Sequence, residues 1–571
     1  GGISVDGASG SENRFVIDGV DTTDPFDGSS GQLFITDFLE EVQVKSAGYA
    51  AEFGGALGGV INAVTKSGTN ELHGWAGAYY ENSSLNGKER PVQYEADPTL
   101  YRTYTKDDVS RFEPGFGLGG PVLRDGLWFY VGYNPTLRTT ERYPTDQASS
   151  TQDRTDHYFT GNLKANIGSK LLVKFSANLS PSKIDGVLPA RDGSTSATTN
   201  LDLGNDFPNA SYSLNADFVP SSSIYLTARG GYYMQDQKSF GDYPTERFFF
   251  RSGTIGTPTP LPKEDPLYRP PGWSSVPAAA FNAVTDRDLW ERKTAGLDVN
   301  VFANFAGSHA IKAGVNYEVL SNDVLTGENG NQYDFRWGLA DRFGLGVKGT
   351  YGSLDVRSIV TFGLVESTNI GLYIQDTWTV HRDVTLNLGV RTEQETIPNY
   401  ATIPGAPEKA FEFKFQDKLA PRIGFAWDVM GKQTLKAYGS YGTYYDIMKL
   451  NIARGSFGGD KWISNLYELN SYADWQTLPS KCSRVSNVAT NNPCPTLTGW
   501  KTFDARYPAD PTDPSVIEQN LLPMQNREFQ RGLDYQLTKN SVVSARYVNK
   551  TLIDTIEDIG TRRTIDGNVE E

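Results

Sequence analysis

The sequence is poor in the residues that hold metals or do redox chemistry: its 571 residues include two cysteines, four histidines and four methionines. His73, His157, His309 and His381 stand apart from one another and from either cysteine, so no zinc-ligand spacing exists and no metal or cofactor is expected. Long apolar runs are missing too. No stretch of eighteen apolar residues occurs, which excludes membrane-spanning helices. Basic residues are in deficit, 53 Lys and Arg against 68 Asp and Glu, and the net charge of −15 opposes nucleic acid as a partner. There is no Gly-x-Ser-x-Gly elbow, no His-Glu-x-x-His and no phosphate loop, and no carboxylate spacing singles out an acid–base pair. An enzyme is therefore not expected.

Aromatic residues and glycine are abundant: 30 Tyr, 29 Phe, 10 Trp and 58 Gly. That composition excludes a disordered chain and, with few good helix formers, points to a large all-β protein. From about residue 71 the text alternates. In Val384-Thr385-Leu386-Asn387-Leu388-Gly389-Val390-Arg391 the apolar residues face one side and Thr385, Asn387, Gly389 and Arg391 the other; Ile311 to Val319 repeats the pattern. Strands are expected near 71–80, 112–120, 127–141, 156–166, 171–180, 206–219, 224–237, 289–305, 309–320, 364–379, 384–395, 416–429, 434–445, 525–537 and 542–555. The gaps between them alternate strictly, every long one at least fourteen residues and every short one at most six. Long connections at one end and tight turns at the other are the pattern of an antiparallel transmembrane barrel, with lipid against the oily face and a polar lumen within. Aromatics crowd the strand ends, as in Trp128-Phe129-Tyr130, Tyr232-Tyr233 and Tyr444-Tyr445, where interfacial girdles place them. Arg229, Lys312, Glu318 and Arg391 are inward charges, read as solvating the lumen wall or anchoring what fills it.

Residues 1–70 differ. They are a compact, glycine-rich α+β unit with short strand-like pieces, Phe15-Val16-Ile17 and Glu41-Val42-Gln43-Val44. The series Phe15-Val16-Ile17-Asp18-Gly19-Val20, Leu39 to Val44, Glu52-Phe53-Gly54 through Gly58-Gly59-Val60-Ile61-Asn62, and Thr65-Lys66-Ser67-Gly68-Thr69-Asn70 resembles the plug of TonB-dependent outer-membrane transporters. Ala47 to Gly54, Lys66 to Gly74, Tyr373 to Trp378, Leu386 to Arg391, Ala420 to Asp428 and Gln530 to Tyr535 are similar to the Oar-like branch. The plug-motif residues are then Asp18, Gly19, Glu52, Gly54, Gly58, Gly59, Asn62 and Lys66.

The resemblance implies a plug domain at 1–70 inside an outer-membrane β-barrel at 71–571, and a 22-stranded barrel in the family against the fifteen strands read here. The expectation is a chain incomplete at both ends: its barrel strands continue beyond residue 571, and a TonB box lies ahead of the plug, in this branch often behind a carboxypeptidase-regulatory-like domain. Many members carry Arg-Gly-Pro after the second plug strand, where this chain has Lys45-Ser46-Ala47-Gly48, which leaves any plug–barrel lock made by that arginine in doubt. The implied partners are the TonB–ExbB–ExbD energy-transducing complex, outer-membrane lipid, and an extracellular cargo or a secreted or surface protein. The implied location is the bacterial outer membrane, long loops outside and plug toward the periplasm.

Several constellations carry two readings. Gly115-Phe116-Gly117-Leu118-Gly119-Gly120 fits a dinucleotide fingerprint, but Pro121 follows and no helix opens, so a smooth-faced strand is the better reading. Asp18, Asp21, Asp24 and Asp27 recur every third residue; they read as turn-capping carboxylates, with calcium binding as the alternative. Residues 21–34 form a candidate apical plug loop touching cargo through Asp21, Thr22, Thr23, Asp24, Phe26, Asp27 and Phe34. Cys482 and Cys494 are expected to form a disulfide that clips the loop 446–524, a candidate cargo gate or partner-docking surface. Three functions compete: uptake of a scarce nutrient such as a siderophore, glycan or peptide; energised export or surface display of a protein; and a non-transporting adhesion or signalling barrel.

Overall fold

The computed structural model describes residues 4–570 except 95–96, 146, 194–202, 242–246, 253–282, 401–406, 471–480, 484–491, 507–519, 557–562 and 566–567. All fifteen expected barrel strands are present, at 73–82, 108–123, 127–142, 150–167, 171–185, 203–221, 224–241, 283–304, 308–328, 352–381, 384–398, 409–428, 435–445, 525–538 and 541–554, some broken by a short kink. They curl in sequence order into an antiparallel barrel. Ladders of defined register join each strand to the next from 73–82 through 541–554. Where 541–554 comes round to 73–82 no such register is formed among the described residues, and both strands are bare along most of both faces.

The barrel is inside out relative to a water-soluble sheet. Ile423, Phe425 and Trp427 are exposed on one strand and Phe529, Leu533 and Tyr535 on another, while Arg422, Asn526 and Glu528 beside them are buried in the lumen. Lipid, not water, is the partner of that oily exterior. Gly115 to Gly120 lie within strand 108–123, where side chains at Gly115 and Gly117 would collide with Trp75, Asn134 and Tyr130, so the glycines serve close packing.

The lumen is filled by a four-stranded mixed sheet: β1 (Arg14–Ile17), β2 (Val20–Asp21), β3 (Leu39–Lys45) and β4 (Val60–Thr65), in the order β2-β1-β4-β3. The pair β1/β4 is parallel and its neighbours are antiparallel. Asp18 and Gly19 connect β1 to β2 with φ of 48° and 87°. Two positive φ values in a two-residue loop define a hairpin turn that Asp-Gly is suited to make. The helical part of this plug is two 3-10 turns, Gly10–Glu12 and Thr36–Phe38.

The long connections are not all irregular. Segments within gaps read as loops form a second, outer sheet. Strand 332–337 runs parallel to 247–252 and antiparallel to the start of 352–381, which pairs in turn with 460–469, and 460–469 pairs with 501–504. A bilayer crossing takes about nine to eleven residues of a tilted strand, so the first residues of 352–381, far from the turn at its end, stand clear of the membrane. This outer sheet has its own core of Tyr333, Phe335, Leu354, Val356, Ile463, Tyr467 and Leu469. The Cys482–Cys494 disulfide is formed, and Cys494 is sealed into that core.

Candidate functional site

Charge and hydrogen bonds fasten the plug to the wall at many points, beside ring contacts such as Tyr49 on Tyr444 and Phe38 on Trp75. Arg14 Nε binds Asp21 Oδ2 at 2.8 Å, and Arg292 of the wall binds Asp21 Oδ1 at 3.1 Å and donates to the carbonyls of Thr23 (2.6 Å) and Asp21 (3.1 Å). Glu318 of the wall sits within 3.5 Å of both arginines. Burial works to raise the Asp21 carboxyl, but the Arg292 and Arg14 guanidiniums together hold it below the ordinary carboxylate range.

On the opposite flank, Arg422 donates to the carbonyls of Ala50 (2.6 Å) and Phe53 (2.7 Å) while its guanidinium lies over the rings of Tyr444 and Tyr49. Lys312 meets Glu52 at 2.5 Å. The segment Lys45-Ser46-Ala47-Gly48 is held by the wall without an arginine of its own. Lys550 donates to the carbonyls of Ser46 (3.1 Å) and Gly58 (2.7 Å), and Glu528 accepts the Gly48 amide at 2.6 Å. Of the four inward charges read from sequence, Lys312, Glu318 and Arg391 touch the plug or its partners, and Arg229 pairs with Asp298 on the wall.

The plug-motif residues have specific local duties. Asp18 accepts from Thr65 Oγ1 (2.6 Å) and pairs with Lys174 Nζ (2.8 Å), tying the β1–β2 turn to both β4 and the wall. Lys66 donates to the Asp37 carbonyl at 2.7 Å, and its own carbonyl accepts from Asn162 of the wall at 2.8 Å. Asn62 is in β4, paired with Val16 and Gln43. A side chain at Gly54 would collide with Arg391 and Glu393, at Gly58 with Asn13, and at Gly59 with the Lys45 carbonyl and Val5; Gly19 faces Asn215.

The apical loop residues separate into two groups. Asp21, Thr22 and Thr23 are buried beneath the plug apex, with Phe15 N donating to Thr23 Oγ1. Asp24 and Phe26 instead line an outer cavity of about 610 Å³ with Leu33, Tyr158, Phe207 and Trp290. Asp27 is exposed and caps the Ser29 amide, and Phe34 is half-buried away from the cavity. Asp24 likewise caps the Phe26 amide, and burial raises its carboxyl.

The short helix α1 (Leu450–Ser456), which sequence reading placed in an open loop, descends onto the plug. Leu450 N donates to the Pro25 carbonyl (3.0 Å) and Asn451 N to that of Phe26 (3.2 Å). Arg454 stands over the Phe26 ring at 4.9 Å and pairs with Asp288 at 3.0 Å, and Phe26 packs on Trp290 with centroids 5.7 Å apart. Leu450, Ala453 and Phe457 join Leu320, Val324, Ile397, Tyr400 and Phe413 in an apolar layer across the barrel mouth. Four residues after α1 the chain enters strand 460–469 of the outer sheet. A second cavity, of about 580 Å³, lies lower, between plug residues 44–53 and the wall around Gln375, Gly389, Arg422 and Tyr438.

Residues 64–160 and 145–555 match the family described as an outer membrane beta barrel domain. Over 98% of its length the chain is 25% identical to the TonB-dependent transporter Oar of Myxococcus xanthus, of which it covers 58%. Its fold is similar to the outer membrane transporter YddB from Escherichia coli (TM-score 0.60, 15% identity, 96% of this chain and 62% of that one). It is also similar to the ferric enterobactin receptor PfeA from Pseudomonas aeruginosa (TM-score 0.55, 13% identity, 96% and 64%). The chain thus spans about three-fifths of the length of these relatives. An inside-out barrel, a glycine-rich plug bound within it and this match together place the chain in the bacterial outer membrane, as a member of the outer-membrane β-barrel domain family and an Oar-like homologue of the TonB-dependent transporters.

Proposed function

We propose that this chain is the plug and gate of an energised transporter that carries cargo across the outer membrane. The outer membrane holds no ATP pool and no steep ion gradient, so a stoppered pore needs work from elsewhere. TonB–ExbB–ExbD supplies it by pulling on a segment ahead of the plug. The supporting observation is the contact of α1 with Pro25, Phe26 and Trp290, which joins the plug apex to the outer sheet through a few residues. Cargo entering the outer cavity meets Asp24, Phe26 and Arg454 together and so acts on the plug and the loop 446–524 at once. That loop is the gate.

A tether tests the reading. A Cβ built on Gly389 stands 3.0 Å from that of Ala51, closer than the roughly 3.5–4.5 Å of a disulfide, so Ala51→Cys with Gly389→Cys cross-links plug to wall once the two segments part by about half an ångström. Oxidised, the pair is expected to stop transport, and reduction to restore it. Transport unaffected by the closed cross-link would defeat a moving plug, whereas no energy-dependent transport in either redox state would leave a passive adhesion or signalling barrel. Native purification with mass spectrometry of bound molecules separates the remaining readings: a small molecule supports uptake, and a stoichiometric protein companion supports the export or surface display that the Oar-like homology also allows.

A further inference from the structure

The outer cavity is lined by six charged side chains, Asp24, Arg154, Asp156, Asp236, Asp288 and Arg454, and five of them already have a charged partner. Arg154 Nε donates to both oxygens of Asp156 at 3.0 Å. Arg454 pairs with Asp288 at 3.0 Å, and Asp236 pairs with Lys238 at 3.1 Å while also accepting the amides of Gln237 and Asp288. An anionic cargo therefore meets four carboxylates and two arginines that are each committed to one. Among the described lining residues a cationic cargo finds only Asp24 without an ion-pair partner, and burial favours the neutral form of that carboxyl.

What the walls do offer is neutral. Ser180, Ser182, Asn209, Gln235 and Gln237 supply hydroxyls and amides, and Ser182 Oγ is buried with no hydrogen-bond partner among the described residues. Tyr158, Phe207 and Phe26 are half-buried, leaving ring surface toward the cavity. A polypeptide docking here would want a free strand edge to extend. Among the described residues, 150–156, 182–185 and 203–207 are paired on the edges that face one another, which leaves no such edge between them.

We propose that this cavity binds a neutral polyhydroxylated cargo, a short oligosaccharide, whose C–H faces stack on Tyr158 and Phe207 and whose hydroxyls bond to the amides and to the free lone pairs of the paired carboxylates. Its volume of about 610 Å³ lies within the range of about 300–1,000 Å³ that holds small ligands. The inference rests on the transport reading above and assigns its cargo class.

The test is binding to the full chain in detergent, read by tryptophan fluorescence. The probes are neutral glucan, xylan and chitin oligosaccharides, a ferric tris-catecholate and a trilysine peptide. At least one neutral oligosaccharide is expected to bind, with little dependence on salt. Tyr158→Ala and Phe207→Ala are each expected to weaken it by about tenfold, the loss of one stacking contact, while Tyr158→Phe keeps it. Binding of the tris-catecholate or the trilysine peptide instead, binding of none of the probes, or saccharide binding indifferent to Tyr158 and Phe207 overturns the assignment. Uptake of a fluorescent form of the bound saccharide separates the two readings. Binding without energy-dependent uptake breaks the transport reading alone, whereas energy-dependent uptake of a charged cargo breaks the cargo class alone.

Discussion

The plug–wall interface and the outer sheet lie within one chain and are built on opposite principles. At the interface ion pairs and side chains reaching main-chain carbonyls predominate (Arg292 to Thr23, Arg422 to Ala50 and Phe53, Lys550 to Ser46 and Gly58), with a few ring contacts such as Tyr49 on Tyr444. Above it, the outer sheet is held by Tyr333, Phe335, Leu354, Ile463 and Tyr467 around a disulfide. Water can replace a hydrogen bond to a carbonyl at little net cost, but it cannot replace an apolar core. A stopper that leaves the wall without unfolding either surface needs the first kind of joint, and a cap that holds its shape while the stopper moves needs the second.

If that contrast is right, damage in one region should be silent in the other. The largest effect is expected from Arg292→Ala, which strips Asp21 and Glu318 of a buried partner and two plug carbonyls of a donor. Breaking one member of a buried ionic cluster costs about 3–5 kcal/mol. Hydrogen exchange should show residues 14–23 losing protection while 332–337 and 460–469 keep theirs. A double change to Arg292→Met and Glu318→Gln should recover much of the loss, because Arg14 and Asp21 then remain as a matched pair. Next comes Leu354→Ala in the outer core, expected to cost about 3 kcal/mol through the cavity it leaves. Limited proteolysis should then cut the outer sheet while the plug stays protected. Replacing Cys482 and Cys494 by Ser should cost about 2–3 kcal/mol for so short a loop, read as faster cleavage between 470 and 501 with no change at the plug.

Much of this architecture was legible in the sequence, and the reason is periodicity. Lipid on one side and lumen on the other force strict alternation, so Leu386, Leu388 and Val390 announced a strand and Arg391 its inward face. Asp18-Gly19 was legible as part of the plug motif, and Asp18 as a turn-capping carboxylate, while the two-residue hairpin with both φ positive comes from the structure. The outer sheet was not legible. Gln332–Trp337 and Asp460–Leu469 each pair with the start of one overlong strand, are buried on patches set by distant segments, and so show no clean period of two. The same holds for α1, whose seven residues are too few to show a helical face and whose burial depends on Phe26, some 420 residues earlier. Inward Glu318 was visible as a lumen charge, but its pairing with Arg14 and Arg292 comes from the fold alone.

The smallest effect is the sharpest probe, because it acts on the outer sheet without a mutation. Asp355 is buried in that sheet, clear of the bilayer, with Ser464 donating to Oδ2 at 3.1 Å and the Arg342 guanidinium forming an ion pair at 3.4 Å, while Oδ1 has no hydrogen-bond partner among the described residues. Burial pushes its carboxyl up to about 6 from an ordinary 3.8; Arg342 opposes the rise and Asp334 adds to it. A carboxyl whose folded pKa is raised favours the folded state when protonated, so its contribution is complete below the unfolded pKa and lost as pH climbs through 6. Acidifying from about pH 7 to pH 5 should therefore stabilise the outer sheet by about 1 kcal/mol, seen as slower proteolysis of residues 332–361. Asp355→Asn should abolish that dependence and leave the protein at neutral pH no less resistant than the parent at pH 5. The Asp21 pairs of the plug joint should not gain over the same interval, since Asp21 is held below the ordinary range and remains ionised throughout. A joint that tightened in step with the sheet would mean that the two regions unfold as one unit, and the division between a polar joint and an apolar cap would fall.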